Sequence, residues 1–91
     1  MTTITDDGKN DLIKIKLFGI STEIVGKREI TLLVPVGITV GNLLKKILKM
    51  YPALDVANIP FVFAVNHKVV NKDVPVTHFD EIAILPPVSG G

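Results

Sequence analysis

The sequence predicts an α+β domain in which a mixed sheet of four to five strands packs on one main helix. Three observations lead to this prediction. Residues 12–18 and 28–34 alternate apolar and polar side chains, as half-buried strands do. A single stripe of apolar residues at helical spacing follows them, and residues 82–85 form a short apolar run suited to a buried strand. A lone amphipathic helix must bury its stripe against one face of a sheet, which gives two layers.

Composition limits the classes of function. The chain has 91 residues, enough for one small domain, and 47% of them are hydrophobic. The net charge of +1 provides no basic field for nucleic acid and no polybasic membrane patch, so neither partner is expected. The absence of cysteine excludes disulfides, thiolate metal sites and a cysteine nucleophile. With no signal-peptide pattern at the start, we expect a cytoplasmic protein.

Two strands and a short link are predicted in the first part of the chain. We expect residues 1–11 to form a flexible, polar extension. In the strand at residues 12–18 the inward positions are Ile13, Ile15 and Leu17, and Phe18 faces outward. The link resembles one helical turn closed by Gly26, and it is short enough to make the strand at residues 28–34 antiparallel to the first.

The main helix is predicted to begin after Thr39, a plausible N-cap, and to end at Pro52. Its apolar stripe comprises Val40, Leu43, Leu44, Ile47, Leu48 and Tyr51. Lysines occupy the opposite face, at positions 45, 46 and 49, where a solvated surface is the simplest interpretation. The helix therefore has one face for the core and one for water.

The second half predicts a connection at residues 53–60 and a strand at residues 61–66. A turn at residues 66–68, a short strand at 69–70 and a loop at 71–79 follow. The final strand is apolar on both faces and is best placed centrally, beside the first. This arrangement is that of the β-grasp, or ubiquitin-like, fold, and we assign residues 12–87 to it.

Residues 88–91 are predicted to be an extended tail. Pro86 and Pro87 stop the last strand, because proline cannot donate to a sheet ladder, and they favour an extended polyproline path. Gly90 and Gly91 add nothing to a core but could pass through a narrow channel. A frayed terminus is the alternative interpretation from composition alone.

Other side chains point to no catalytic site. His67 and His78 are predicted to be turn and loop residues, since a zinc site needs three or four ligands. The neighbours Asp80 and Glu81 would point to opposite faces of a strand and so could not share a proton. No glycine-rich loop that could hold phosphate is present, so no bound cofactor or metal is expected.

Three local signatures resemble the family of ubiquitin-like sulfur carriers, which includes the small subunit of molybdopterin synthase and the thiamine-pathway carrier. The resemblance covers residues 12–91. The signatures are Phe18-Gly19 before a turn ending at Gly26, Phe63-Ala64-Val65-Asn66, and Asp80-Glu81-Ile82-Ala83-Ile84-Leu85-Pro86-Pro87-Val88-Ser89-Gly90-Gly91. The sequence departs from the family pattern at Thr22-Glu23, His78-Phe79 and Ile84-Leu85, which affects the expected partner contacts.

The resemblance implies that Gly91 is the reacting group. An ATP-dependent adenylating partner of the ubiquitin-activating type would convert the Gly91 carboxylate to an acyl-adenylate, and sulfur transfer would give a thiocarboxylate. The large subunit, which would carry the catalytic side chains, would use that sulfur to build the molybdopterin dithiolene on a cyclic pyranopterin monophosphate. Residues predicted to lie in the partner's channel are Pro86, Pro87, Val88, Ser89 and Gly90, with Phe18 and Leu85 on the docking surface.

Alternatives stay open at this point. A related carrier could supply sulfur to thiamine or to tRNA thiolation. A diglycine ending is also shared by protein modifiers that are joined to lysines. A third possibility is a non-covalent adaptor in which the diglycine has no chemical role.

Overall fold

The structure is a computed structural model that describes residues 9–87. Within this range the chain forms five strands and three helices: β1 (Asn10–Leu17), α1 (Ile20–Val25), β2 (Glu29–Pro35), α2 (Val40–Met50), α3 (Pro52–Ala57), β3 (Val62–Val65), β4 (Lys68–Val70) and β5 (Ile82–Leu85). The sheet order is β2-β1-β5-β3-β4, with β5 parallel to β1 and antiparallel to β3. The predicted mixed sheet, its β-grasp arrangement and the central position of the last strand are confirmed.

The first hairpin follows the predicted alternation. Ile13 pairs with Leu32 and Ile15 pairs with Ile30, and all four side chains are buried. The strand begins at Asn10, two residues before its predicted start, because Asn10 and Asp11 pair with the end of β2. Asn10 is exposed, whereas the largely buried carboxylate of Asp11 accepts the backbone N–H of His78 at 3.0 Å. Residues 10 and 11 of the predicted N-terminal extension, residues 1–11, therefore belong to β1. Residues 1–8 lie outside the described range.

Both predicted helix boundaries near the sheet are confirmed. Gly26 ends α1 in the left-handed conformation, with φ of 79°, and its N–H donates to the carbonyl of Thr22. The hydroxyl of Thr39 accepts the N–H of Asn42 at the start of α2. Of the predicted stripe, Val40, Leu43 and Ile47 are buried, and the other three residues pack half-buried against the core.

The segment at residues 53–60 was expected to be an irregular connection, and this prediction is wrong. Helix α3 begins at Pro52, immediately after α2 ends, because a proline is accommodated in the first turn of a helix. Its one buried side chain is Leu54, 1% exposed, and Asn58 closes the helix in the left-handed conformation. A six-residue helix with one core residue shows too little periodicity to be recognised in sequence.

A tight turn joins β3 to β4. Asn66 and His67 both have positive φ, 53° and 70°, as the two central residues of a type I′ hairpin turn require. The long loop after β4 packs across the start of α2, where the N–H groups of Val40 and Gly41 donate to the carbonyls of Val74 and Lys72. Helix α2 thus begins against the loop that leads into β5.

The core is one hydrophobic cluster built from one face of the sheet, from α2 and α3, and from the fully buried Val76 of the loop. The opposite face of the sheet carries exposed Leu12, Leu33 and Val69. In the part of the chain that the structure describes, no helix has the length and hydropathy needed to cross a membrane.

Candidate functional site

The predicted tail begins where β5 leaves the middle of the sheet. Ile84 is fully buried and pairs with Leu17 of β1 on one side and with Phe63 of β3 on the other. The strand ends at Leu85, as the proline that follows it predicts. Pro86 is half-buried and Pro87 is exposed. The chain therefore departs from the central strand of the sheet, which pairs with a neighbour on each side.

Residues 88–91 lie outside the described range. The predicted tail residues Val88, Ser89, Gly90 and Gly91 all belong to this segment, so their roles stay predictions. Of the remaining predicted site residues, the structure places Pro86, Pro87, Leu85 and Phe18 around one end of β5.

Phe18 and Leu85, the two predicted docking residues, line one shallow apolar groove. The groove lies on the sheet face away from the helices and has a volume of about 300 Å³. Its floor is formed by Ala64 and Ala83, which pair directly across β3 and β5, and Val69 of β4 forms its far side. Val69 is 69% exposed and Phe18 is 46% exposed, so the groove offers apolar surface to a partner.

Sequence reasoning missed Ala64, Val69 and Ala83 as members of this surface. Alternation along each strand indicates that they face away from the core, but it does not show that they are neighbours. Ala64 lies opposite both Ala83 and Val69 only because β3 stands between β5 and β4. The alternation along β3, β4 and β5 would identify this surface once the strand order is known.

Polar and charged side chains lie along one margin of the groove. The carboxylate of Glu81 is 3.4 Å from Nζ of Lys16 and 3.3 Å from Nε2 of His67. All three side chains are substantially exposed, and ion pairs of this kind contribute little to stability. Their arrangement instead gives the apolar groove a polar margin, as is common at protein–protein interfaces.

A hydrogen-bonded cluster fixes the point at which β5 begins. The side-chain amide of Asn66 donates to Oδ1 of Asp80 at 2.9 Å, and its Oδ1 accepts the N–H of Glu81 at 2.9 Å. The N–H of Thr77 donates to the other oxygen of Asp80 at 2.8 Å. These bonds, chiefly the one from the Thr77 backbone and then that from Asn66, lower the pKa of Asp80.

This cluster assigns a structural role to two of the signatures that carry the resemblance. Val65-Asn66 and Asp80-Glu81 hold each other, so the β3–β4 turn and the start of β5 cannot separate easily. The two carboxylates have different partners, which agrees with the expectation that they form no shared acid–base pair.

The histidines lie in a turn and a loop, as predicted. His67 is in the β3–β4 turn, and His78 is in the loop before β5, where its Nδ1 is 2.6 Å from the carboxylate of Asp11. Within residues 9–87 there is no group of three or more His, Cys, Asp or Glu side chains that could hold a metal ion.

Comparison with known proteins decides the family. A sequence model of the ThiS family matches residues 15–91. The chain belongs to the ThiS family. This ThiS-family chain is 34% identical over 87 residues to the molybdopterin synthase sulfur carrier subunit of Arabidopsis thaliana, an alignment that covers 96% of this chain and 91% of the relative. Predicted membership of the sulfur carrier family is thereby confirmed.

Solved structures support the same fold for the ThiS-family chain. SAMP1 from Haloferax volcanii, a small archaeal modifier protein, has 27% sequence identity and a TM-score of 0.75, with 88% of this chain and 99% of that one covered. A chain in the complex of subunits 1 and 2 of the molybdopterin-converting factor from Helicobacter pylori has 23% identity and a TM-score of 0.55, covering 88% and 99%. At 23% identity, the similarity to the Helicobacter pylori chain shows a shared fold.

Proposed function

We propose that this protein is the sulfur carrier subunit of a molybdopterin synthase and that its reacting group is the carboxylate of Gly91. The observation that carries the proposal is the near full-length similarity to a curated sulfur carrier subunit, 34% identical over 96% of this chain. The structure supports it in two ways: an apolar groove lies beside the end of β5, and β5 ends at the residue before the two prolines.

The chemistry of Gly91 requires a partner. A terminal carboxylate has a pKa of about 3.5, so at neutral pH it is an anion and a poor electrophile. In the proposed sequence an ATP-dependent enzyme of the ubiquitin-activating type transfers AMP to this carboxylate and releases pyrophosphate. Sulfur at the oxidation level of sulfide then displaces AMP and leaves a thiocarboxylate. ATP is bound and used by that partner, and this chain needs no cofactor of its own.

Delivery of the sulfur is proposed to occur in the large subunit of the synthase. Phe18, Leu85 and Val69 dock on that subunit, and residues 86–90 enter its channel. There each thiocarboxylate gives one sulfur to a cyclic pyranopterin monophosphate, and water cleaves the acyl C–S bond and returns Gly91 to the carboxylate. Two carriers loaded in this way therefore build the dithiolene of molybdopterin, with catalytic side chains of the large subunit. Ordering each tail residue costs about 1–2 kcal/mol of backbone entropy, which Pro86 and Pro87 reduce.

The decisive measurement is the mass of the C-terminal peptide. After incubation with ATP, the adenylating enzyme and a sulfur donor, we expect one oxygen to be exchanged for one sulfur, and only in the peptide ending at Gly91. The protein that carries the thiocarboxylate should then support dithiolene formation when the large subunit and the pterin precursor are added.

Two variants serve as controls for this experiment. Deletion of Gly90 and Gly91 should abolish sulfur uptake and leave the unfolding transition unchanged, because the buried core described above is built from residues between Ile13 and Ile84. A chain extended by one bulky residue after Gly91, and shown to remain unprocessed, should also be inactive. Restoration of molybdopterin synthesis by the extended chain would disprove the proposal.

A second candidate function is covalent modification of other proteins. It is favoured by the 27% identity to SAMP1 over 88% of this chain. Immunoblots of cells that express an N-terminally tagged chain would show Gly91-dependent conjugates if this function operates. Sulfur carriage for thiamine or tRNA thiolation would instead give the charged tail but no dithiolene with the large subunit, so the same preparations separate these alternatives.

A further inference from the structure

Gly19 lies directly against the first proline of the tail. A β-carbon at position 19 would be 3.0 Å from Cγ of Pro86, 3.4 Å from its Cδ and 3.5 Å from its Cβ. The pyrrolidine ring is tied to its own backbone and cannot rotate away as a long flexible side chain could. Any side chain at position 19 would therefore displace Pro86, the corner around Gly19, or both.

The backbone around Gly19 is held on both sides. Before it, the N–H of Phe18 donates to the carbonyl of Ile84 at 3.2 Å and so continues the contact between β1 and β5. After it, the fully buried Ser21 donates its hydroxyl to the carbonyl of Phe18 at 2.7 Å, and the Thr22 hydroxyl donates to the carbonyl of Leu17 at 3.0 Å. Gly19 itself adopts φ of 63° and ψ of −137°, a conformation essentially confined to glycine.

We propose that Gly19 is a positioning residue for the C-terminal tail. Because it has no side chain, the ring of Pro86 packs on a rigid corner, and this contact fixes the direction in which the chain continues from Pro87. The inference rests on the proposed function, since a fixed direction matters only if the tail must enter a partner while the groove docks. Gly19 thereby joins the tail and groove residues that are proposed to determine sulfur delivery.

A specific kinetic signature follows. The Gly19→Ala substitution changes none of the docking residues Phe18, Val69 and Leu85, and the backbone of Phe18 stays held by its hydrogen bonds to Ile84 and Ser21. We therefore expect the KM for the carrier that bears the thiocarboxylate to stay within about twofold of the wild-type value. A tail that departs in the wrong direction presents its thiocarboxylate poorly, and displacement of reacting atoms by about 1 Å can cost up to roughly a hundredfold in rate. We expect kcat for sulfur delivery to fall by at least about tenfold.

The chain offers a matched control at Gly26. This residue also has positive φ, 79°, but a β-carbon there would meet nothing within 4 Å. Gly26→Ala thus introduces backbone strain at the other end of α1 without touching the tail. We expect its kcat to stay within about twofold of wild type when both variants are assayed well below their unfolding temperatures. Equal losses of kcat in the two variants would overturn the proposal.

A double-mutant cycle with Pro86→Ala isolates the contact itself. If Gly19 acts through the proline ring, Gly19→Ala should lower kcat strongly in the wild-type background and by less than about twofold in the Pro86→Ala background. Strictly multiplicative losses would mean that Gly19 acts through strain alone, and the proposal would fail.

The contact can also be observed without any partner. In the free wild-type protein we expect a nuclear Overhauser effect between the α-protons of Gly19 and the ring protons of Pro86, and its absence would overturn the inference. A failure of the wild-type chain to take up sulfur would instead overturn the proposed function. The two failures are thereby distinguished.

Discussion

Asn66 joins two segments of the chain at the level of a single residue. Its side chain bonds to Asp80 and to the backbone of Glu81, while its own N–H donates to the carbonyl of Glu81 at 2.7 Å. The residue also takes the first positive-φ position of the β3–β4 turn, a conformation that asparagine tolerates better than most residues. One side chain therefore shapes the turn and also anchors the strand that leads to the tail.

The lowered pKa of Asp80 predicts a pH dependence. Because the folded-state pKa lies below the unfolded value of about 3.9, its stabilisation is present above that value and is lost as pH falls through the folded-state pKa. We expect Asp80→Asn to reduce the free energy of unfolding by about 1 kcal/mol at pH 7. The difference from wild type should shrink below about pH 4, as measured by urea denaturation over a pH series.

Asp73→Asn is the control for this measurement. It removes the same charge from the same loop, but its carboxylate makes no hydrogen bond with the rest of residues 9–87. A stability difference between wild type and Asp80→Asn that stays constant from pH 7 to pH 3 would contradict the assignment of the Asp80 cluster.

Among the elements, α3 is the one that the sequence did not reveal. It follows α2 without a loop and places Leu54 in the core while exposing Val56 to 84%. The helix is too short to be stable by itself, so its stability must come from packing. Burial of Leu54 is the packing contact that holds the segment between α2 and β3.

Substitution of Leu54 tests the importance of this element. Leu54→Ala should lower the free energy of unfolding by about 2–4 kcal/mol, since it removes buried methyl groups and leaves a cavity. Val56→Ala changes the neighbouring exposed turn of the same helix and should cost less than about 0.5 kcal/mol. Chemical denaturation of both variants gives the comparison, and similar small losses would show that α3 is dispensable for stability.

At the scale of the whole molecule, the two faces of the sheet have different roles. Helices cover one face and complete the core, and the other face carries the apolar groove next to the end of β5. The groove and the start of the tail therefore share one end of the sheet. Under the proposed function, this proximity would let the large subunit bind the domain and the tail at the same time, which would raise the local concentration of the tail in the channel.

If the groove is the docking surface, a polar substitution inside it should weaken binding more than one outside it. Val69→Ser should weaken association with the large subunit by about tenfold, because burying a valine side chain contributes roughly 1.5 kcal/mol. Leu33→Ser changes a comparably exposed residue, 57% against 69%, on the same face but outside the groove, and should change the affinity by less than about twofold. Isothermal titration calorimetry with carrier that bears no sulfur measures the affinity of each variant for the large subunit. Equal effects of the two substitutions would argue against the groove as the interface.

Much of the fold could be predicted from local patterns. The alternation of Ile13, Ile15 and Leu17 identified the buried face of β1, and the spacing of Val40, Leu43 and Ile47 identified that of α2. Proline at position 86 correctly ended β5. These predictions succeed because strand and helix periods, and the missing N–H of proline, act over a few neighbouring residues. The fully buried Val76 lies in a loop without any period, and only packing reveals it.

The sequence by itself determined the alternating strands, the main helix, the end of β5 and, through its signatures, the resemblance to sulfur carriers. Only the tertiary structure decided that Gly19 meets Pro86, that Asn66 bonds to Asp80, and that Phe18, Val69 and Leu85 line one groove. The physical reason is that periodicity and backbone preference are local properties. Contacts between residues far apart in the chain depend on which strands become neighbours, and that depends on how the whole core packs.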